Sequence, residues 1–124
     1  MSTGYHEQNL SAEAQAMHRA LASLQEELEA VDWYNQRIDV SDNQELNDIL
    51  LHNRNEEIEH AAMILEWLRR NVPDVDEQLS MYLFTKLPVT EVEDAAEAGE
   101  EGGDGADGRD GGGEDESLGL GSLR

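Results

Sequence analysis

From residue 11 to residue 40 no proline or glycine interrupts the chain, and Met17, Leu21, Leu24, Leu28, Val31 and Ile38 recur mostly three or four apart. That period is the apolar stripe of an amphipathic helix. A second stretch of the same kind follows. Ser41-Asp42-Asn43-Gln44 reads as a turn with a capping box, the Ser hydroxyl and Gln amide serving the exposed N–H groups of a new helix. This second helix runs to about Asn71, with Leu46, Leu50, Ile64 and Leu68 on its core side, and Pro73 ends it. A shorter piece over about 74–84, with Leu79 and Leu83 on its apolar side, stops before Pro88, and Thr90-Glu91-Val92-Glu93 can cap a last brief helix. The expected fold class is therefore all-α: an antiparallel two-helix hairpin plus a short C-terminal helix. The helical domain covers 11–94, behind a flexible N-terminus over 1–10.

Two helices of about 30 residues are each about 45 Å long. A lone hairpin of that length leaves much of its apolar surface wet, so the chain is expected to pair.

Charge narrows the partners. Residues 1–94 hold 20 Asp/Glu against 6 Lys/Arg, and 95–124 hold 9 against 2, for a total of −21. So acidic a chain repels nucleic acid and anionic membranes and attracts cations. The absence of cysteine excludes disulfides, thiolate metal sites and thiol nucleophiles. No apolar run approaches the roughly 20 residues a membrane span needs, and no secretory leader is visible, which points to the cytoplasm.

Residues 97–116 contain 8 Gly and 9 Asp/Glu. Such a composition cannot bury enough apolar area to offset the entropy of ordering, so 95–116 is expected to be a disordered acidic linker. Polarity then reverses at 117–124, where Leu118, Leu120 and Leu123 end the chain.

Chemistry enters on the second helix. With Ile64 at the centre of the core side and 100° per residue, Glu57 falls at about +20° and His60 at about −40°. Both lie inside the apolar stripe, where a carboxylate is costly unless paired, hydrogen-bonded or bound to a cation. Glu27 lies on the shoulder of the first helix's stripe, and Tyr34 shares that flank seven residues on. Glu57-Ile58-Glu59-His60 is a Glu-x-x-His pattern. Di-iron carboxylate bundles use that pattern twice, with a lone Glu from each of two other helices. This chain carries half the set, and two copies about a two-fold axis would complete it. His52, Glu56 and Glu59 stand at i, i+4 and i+7, a spacing able to hold a divalent ion weakly. The surface reading is stronger for His6 and His18, and packing for Trp33, Trp67, Met17 and Met63.

The runs from Gln25 to Tyr34, from His52 to Met63, from Leu65 to Arg70 and from Tyr82 to Thr85 resemble the encapsulated ferritins over roughly 16–93. The resemblance implies a helical hairpin that dimerises into a ferritin-like four-helix bundle, five dimers forming an open ring, a decamer. It implies a ferroxidase, an Fe(II):oxygen oxidoreductase, with Glu27, Glu57 and His60 as di-iron ligands from two chains and Tyr34 beside them. Glu26 and Glu29, with Trp33 near, match a gateway site that also suits other divalent cations such as calcium. His52, Glu56 and Glu59 match an outer metal site. The tail Ser117-Leu118-Gly119-Leu120-Gly121-Ser122-Leu123-Arg124 resembles the peptide that docks cargo inside encapsulin shells, with Leu120 where Ile is common. The implied role is iron oxidation for mineral storage in the lumen of such a shell. The alternative is a non-enzymatic acidic helical adaptor or metal-binding cargo protein.

Overall fold

The first long helix, α1 (Ala12–Val40), starts where the Ser11 hydroxyl accepts a 3.0 Å hydrogen bond from the Ala14 N–H. Such a cap satisfies one of the donors that a helix start leaves without partners. The second, α2 (Gln44–Asn71), is capped by Asn43, whose Oδ1 accepts from the Leu46 N–H at 2.9 Å. The expected capping box at Ser41 is thus displaced by two residues. The Ser41 hydroxyl instead accepts from the Asn43 N–H at 3.3 Å and shapes the turn. Pro73 does more than end α2, because its fixed φ suits a first helical position, and it opens α3 (Pro73–Tyr82). The last helix, α4 (Val89–Gly102), outruns the brief one expected and carries helix into the first eight residues of the segment read as a structureless linker.

The computed structural model describes residues 4–102, which form helices joined by short turns, bends and irregular links; no strand occurs among them. The remainder of the linker and the leucine tail at 117–124 lie outside the described residues. Residues 4–10, expected to fray, lie against the start of α1. The Tyr5 ring meets the His18 ring edge-on at 4.7 Å, and Gln15 Nε2 donates to the Leu10 carbonyl at 3.1 Å.

The chain divides into two compact units, residues 1–77 and 78–124. In the first, α1 and α2 pack along each other. The interior between them is thin. Leu68, at 2% exposure, is the one side chain fully enclosed among the described residues, and Ala61 is the other buried position of α2. Leu21, Leu28, Leu46, Ile49, Leu51, Ile58, Met63 and Trp67 stay substantially exposed, Leu46 despite its expected place on the core side. So many large apolar side chains left in water favour a further interaction. No described helix is long and apolar enough to cross a membrane.

At the end of α2, Arg69 clasps Glu66 through Nε and Nη2, each at 2.8 Å, and reaches over the joint to Asp76 at 2.7 Å. Arg70 adds a 2.6 Å bond to Glu66. In the second unit, Val92 of α4 is buried. Burial pushes the Tyr82 phenol up, and the negative charges of Glu93, Glu97 and Asp94 push the same way. Past the end of α3, Phe84 holds a left-handed φ of 63°. That conformation costs a residue with a Cβ roughly 1–2 kcal/mol, and the position following a helix is where glycine is usual.

The hydrogen bonds from Arg69 and Arg70 hold the Glu66 carboxyl at about 2, below its ordinary 4.5. A depressed carboxylate contributes stability above the unfolded value and loses it as pH falls through the folded one. These side chains are half exposed, so solvent screening limits the effect to about 1 kcal/mol. Glu66→Gln should therefore lower the thermal midpoint at pH 7 and leave it unchanged near pH 2. Circular dichroism melts at both pH values check this, and an equal loss at both would count against it.

Candidate metal centre

Glu27, at the middle of α1, and Glu57 and His60, at the middle of α2, converge between the two helices. One ligand atom from each lies within 4.8 Å of the others, the one such group of three among the described residues. His60 Nδ1 is 3.4 Å from Glu27 Oε1 and 3.6 Å from Glu57 Oε1. The one-turn spacing of Glu57 and His60 aims both side chains off a single helix side, as the Glu-x-x-His pattern predicts.

None of these approaches satisfies the site. Glu27 Oε1 is buried and has no hydrogen bond of proper geometry, since its closest nitrogen stands long at 3.4 Å. A buried oxygen of this kind normally has a partner. The Glu27 carboxyl is raised above its ordinary value, first by a hydrogen bond with Glu57, then by burial and the Glu57 charge, with His60 opposing. Two carboxylates and an imidazole that crowd one point without neutralising each other form the donor set of a cation. Hard oxygens with one imidazole suit iron or another first-row divalent ion better than a thiophilic one.

His60 remains 42% exposed, and its other nitrogen, Nε2, stands 3.8 Å from Glu56. Glu56 in turn is 3.8 Å from His52 Nε2. Glu56 therefore stands between the inner group and His52, a link that the spacing argument did not bring out. Glu59, the third residue expected at the outer site, is exposed and joins no such group. Glu26 is exposed, Glu29 half-buried and Trp33 half-exposed; within one chain they gather no further ligand. Tyr34 is half-buried on α1, with the Arg37 guanidinium 5.5 Å from its ring centroid. On the turn side of the ligands, Arg54 of α2 donates to Asn35 of α1 at 3.1 Å and ties the helices together. Sequence reasoning missed this clasp. The signal was a cation one turn before Glu57, where an acidic helix has few cations.

A groove of about 440 Å³ opens beside the ligands, walled by Ala16 and Ala20 of α1 and by Met63, Ile64 and Trp67 of α2, with His60 at its edge. It makes one wall of the metal group apolar and open to a partner.

A raised carboxyl favours the protonated folded state, so its contribution falls as pH rises from 4.5 through the folded value. At pH 7 the metal-free chain carries the cost of crowding Glu27 against Glu57. Glu27→Gln should raise the thermal midpoint of the metal-free chain at pH 7, and the gain should shrink toward pH 4. Calorimetry in chelator reads this directly; a loss of stability at pH 7 would contradict it.

Known proteins resemble the chain over most of its length. A family model described as EncFtn-like matches residues 3–86. The chain is 55% identical over 115 residues to an encapsulated ferritin-like protein of Rhodospirillum rubrum, covering 93% of this chain and 82% of that one. It is 52% identical over 96 residues to a ferritin-like protein of Thermotoga maritima, covering 76% and 84%. A crystal structure of a protein from Nitrosomonas europaea superposes with a TM-score of 0.67 at 58% identity, covering 69% of this chain and 97% of that one. The chain belongs to the EncFtn-like family.

Proposed function

We propose that the protein is a ferroxidase that oxidises Fe(II) to Fe(III) at a site shared by two chains and delivers the product for storage inside an encapsulin shell. The observation that carries this reading is the half-set of ligands. Glu27, Glu57 and His60 supply three donors from one chain, and a second copy about a two-fold axis doubles them to four carboxylates and two imidazoles. The exposed apolar residues beside the group favour that pairing independently.

Iron is the substrate. Glu27 and Glu57 hold Fe(II) with hard oxygens that bind Fe(III) still better, and His60 gives each metal a neutral nitrogen. Cation binding relieves the crowding that raises the Glu27 carboxyl, because metal charge between the two carboxylates offsets their mutual repulsion. Two Fe(II) held together can pass two electrons to dioxygen or peroxide. Tyr34 lines the approach, and Glu26 and Glu29 raise the local cation concentration as a gateway, where calcium can also bind. His52 and Glu56 stand close enough to begin the outer metal site, with Glu56 also facing His60, and Glu59 would join them only on binding an ion.

The storage role rests on two things. The Rhodospirillum rubrum relative is described as encapsulated and ferritin-like, and the one from Thermotoga maritima as ferritin-like. The tail at 117–124 places three leucines where no other large apolar residue follows Val92. At about 0.8 kcal/mol per buried methylene, these could supply several kcal/mol to a partner surface. A ring such as a decamer would present many tails at once, so each need bind only modestly. On this reading the protein works in the lumen of a cytoplasmic encapsulin compartment.

Glu27→Ala, Glu57→Ala and His60→Ala should each abolish most aerobic Fe(II) oxidation, because each substitution removes two ligands from a two-fold site. Stopped-flow absorbance of Fe(III) formation gives the rate, and near-wild-type rates in any of the three would refute the assignment. Tyr34→Phe should be milder, since the ligands survive.

Deleting 117–124 should leave Fe(II) oxidation intact and abolish co-purification with a co-expressed encapsulin. Continued loading of the truncated chain would remove the tail from the account.

A further inference from the structure

We infer that Arg54 acts on the metal group as an uncompensated positive charge, which weakens the hold on a trivalent ion more than on a divalent one and so favours release of the Fe(III) product. The inference rests on the ferroxidase reading above and gives a role to a residue outside the ligand set.

Arg54 is a half-buried cation with no acid to answer it. Its Nη1 donates to Asn35 Oδ1 across the hairpin and its Nη2 to Asn55 Oδ1, each at 3.1 Å. Both acceptors are neutral amides. Its Nε is buried and has no acceptor. No ion pair reaches Arg54 among the described residues, although the chain holds 29 Asp/Glu against 8 Lys/Arg. A guanidinium withdrawn from water is normally paired, and a carboxylate acceptor bonds it more strongly than an amide. The α2–α3 joint shows what this chain does where it clasps for strength. There Arg69 binds the carboxylates of Glu66 and Asp76, and Arg70 binds that of Glu66. An aspartate at position 35 would treat Arg54 the same way with almost no change of shape. Asn35 instead holds the guanidinium in place and leaves its charge intact.

That charge stands one turn from a ligand. Arg54 precedes Glu57 by three residues on α2, a spacing that puts two side chains on one side of a helix. Both reach toward α1, Arg54 to Asn35 and Glu57 to the group that contains Glu27. A fixed positive charge repels a trivalent ion half as strongly again as a divalent one, whatever the distance or dielectric. The ligands pull the other way. Hard carboxylate oxygens hold Fe(III) more tightly than Fe(II), so a site built from them alone would keep its product. Arg54 counters that bias without occupying a coordination position.

Three substitutions separate the charge from the clasp. Asn35→Asp keeps the clasp and cancels the charge, Arg54→Gln removes the charge, and Arg54→Lys keeps the charge and loses the planar fork. Redox-inert Zn(II) and Ga(III) stand in for substrate and product. The full chain is equilibrated with both ions in citrate, and bound metal is counted by mass spectrometry after gel filtration, taking only the part that Glu57→Ala loses. The ratio of bound Ga(III) to Zn(II) should rise about threefold or more in Asn35→Asp and Arg54→Gln, a modest factor because solvent screens a half-exposed charge. It should stay at the wild-type value in Arg54→Lys. Without metal, Asn35→Asp should melt at or above the wild-type midpoint by circular dichroism, which a loosened hairpin would not do. An unchanged ratio or a lower midpoint in Asn35→Asp overturns the inference, as does an equal rise in Arg54→Lys and Arg54→Gln. If wild type in that case still holds metal through Glu57 and oxidises Fe(II), only the role of Arg54 falls. If wild type holds neither ion through Glu57, the metal-centre reading itself has failed, and the role of Arg54 falls with it.

Discussion

Two carboxylates and an imidazole share one point between α1 and α2 without satisfying one another, and much of the first unit follows from that crowding. Glu27 Oε1 is buried without a proper hydrogen bond, and the His60 ring stands 3.4 Å from it. An apolar pair in those places would pack better and stabilise the hairpin outright. The chain keeps instead a cluster that could hold a divalent cation. What would be a defect in a purely structural hairpin suits the proposed function, under which the energy lost without metal returns on binding it.

The same logic links site and assembly. The hairpin encloses only Leu68 fully among its described residues, while a row of large apolar side chains stays wet. A two-helix layer has no third layer to cover it, so its second half must come from elsewhere. Under the proposed two-chain reading the ligands are incomplete in the same way and on the same helices, so that metal completion and apolar burial would be satisfied by one event. The groove walled by Ala16, Ala20, Met63 and Trp67 is open beside His60, where both requirements meet.

Much of this was readable in the residues. The three-and-four spacing of Met17, Leu21, Leu24, Leu28 and Val31 set α1 to within a residue, because nothing in that stretch competes with helix. Glu57 and His60 were legible as inward-facing because a 3.6-residue period places them inside an apolar stripe. The misses were local. The α2 cap fell on Asn43 rather than Ser41 because both side chains can accept from a helix start, and spacing alone does not choose between them. The length of α4 was hidden by glycines and acids that read as linker, although Ala95, Ala96 and Ala98 favour helix there. The Asn35–Arg54 clasp and the Glu56 link depend on how two helices face each other across a turn, which no single helix's period encodes.

Leu68 has a consequence for how the subunit moves. Where burial is spread over many side chains, a domain opens as a unit, and its amide protons exchange only on global unfolding. Here the enclosed apolar contact is concentrated near the α2–α3 joint, where Arg69 also binds Glu66 and Asp76. Amides near that joint would be the last of a lone chain to exchange. Those toward the hairpin turn, held mainly by helix bonds and the Asn35–Arg54 clasp, would exchange through local fraying. The turn half of the hairpin is thus the softer half. Under the proposed function, cation capture at mid-helix would carry rigidity from the joint into it, so that loading with iron would also be the step that gives the chain a single cooperative fold.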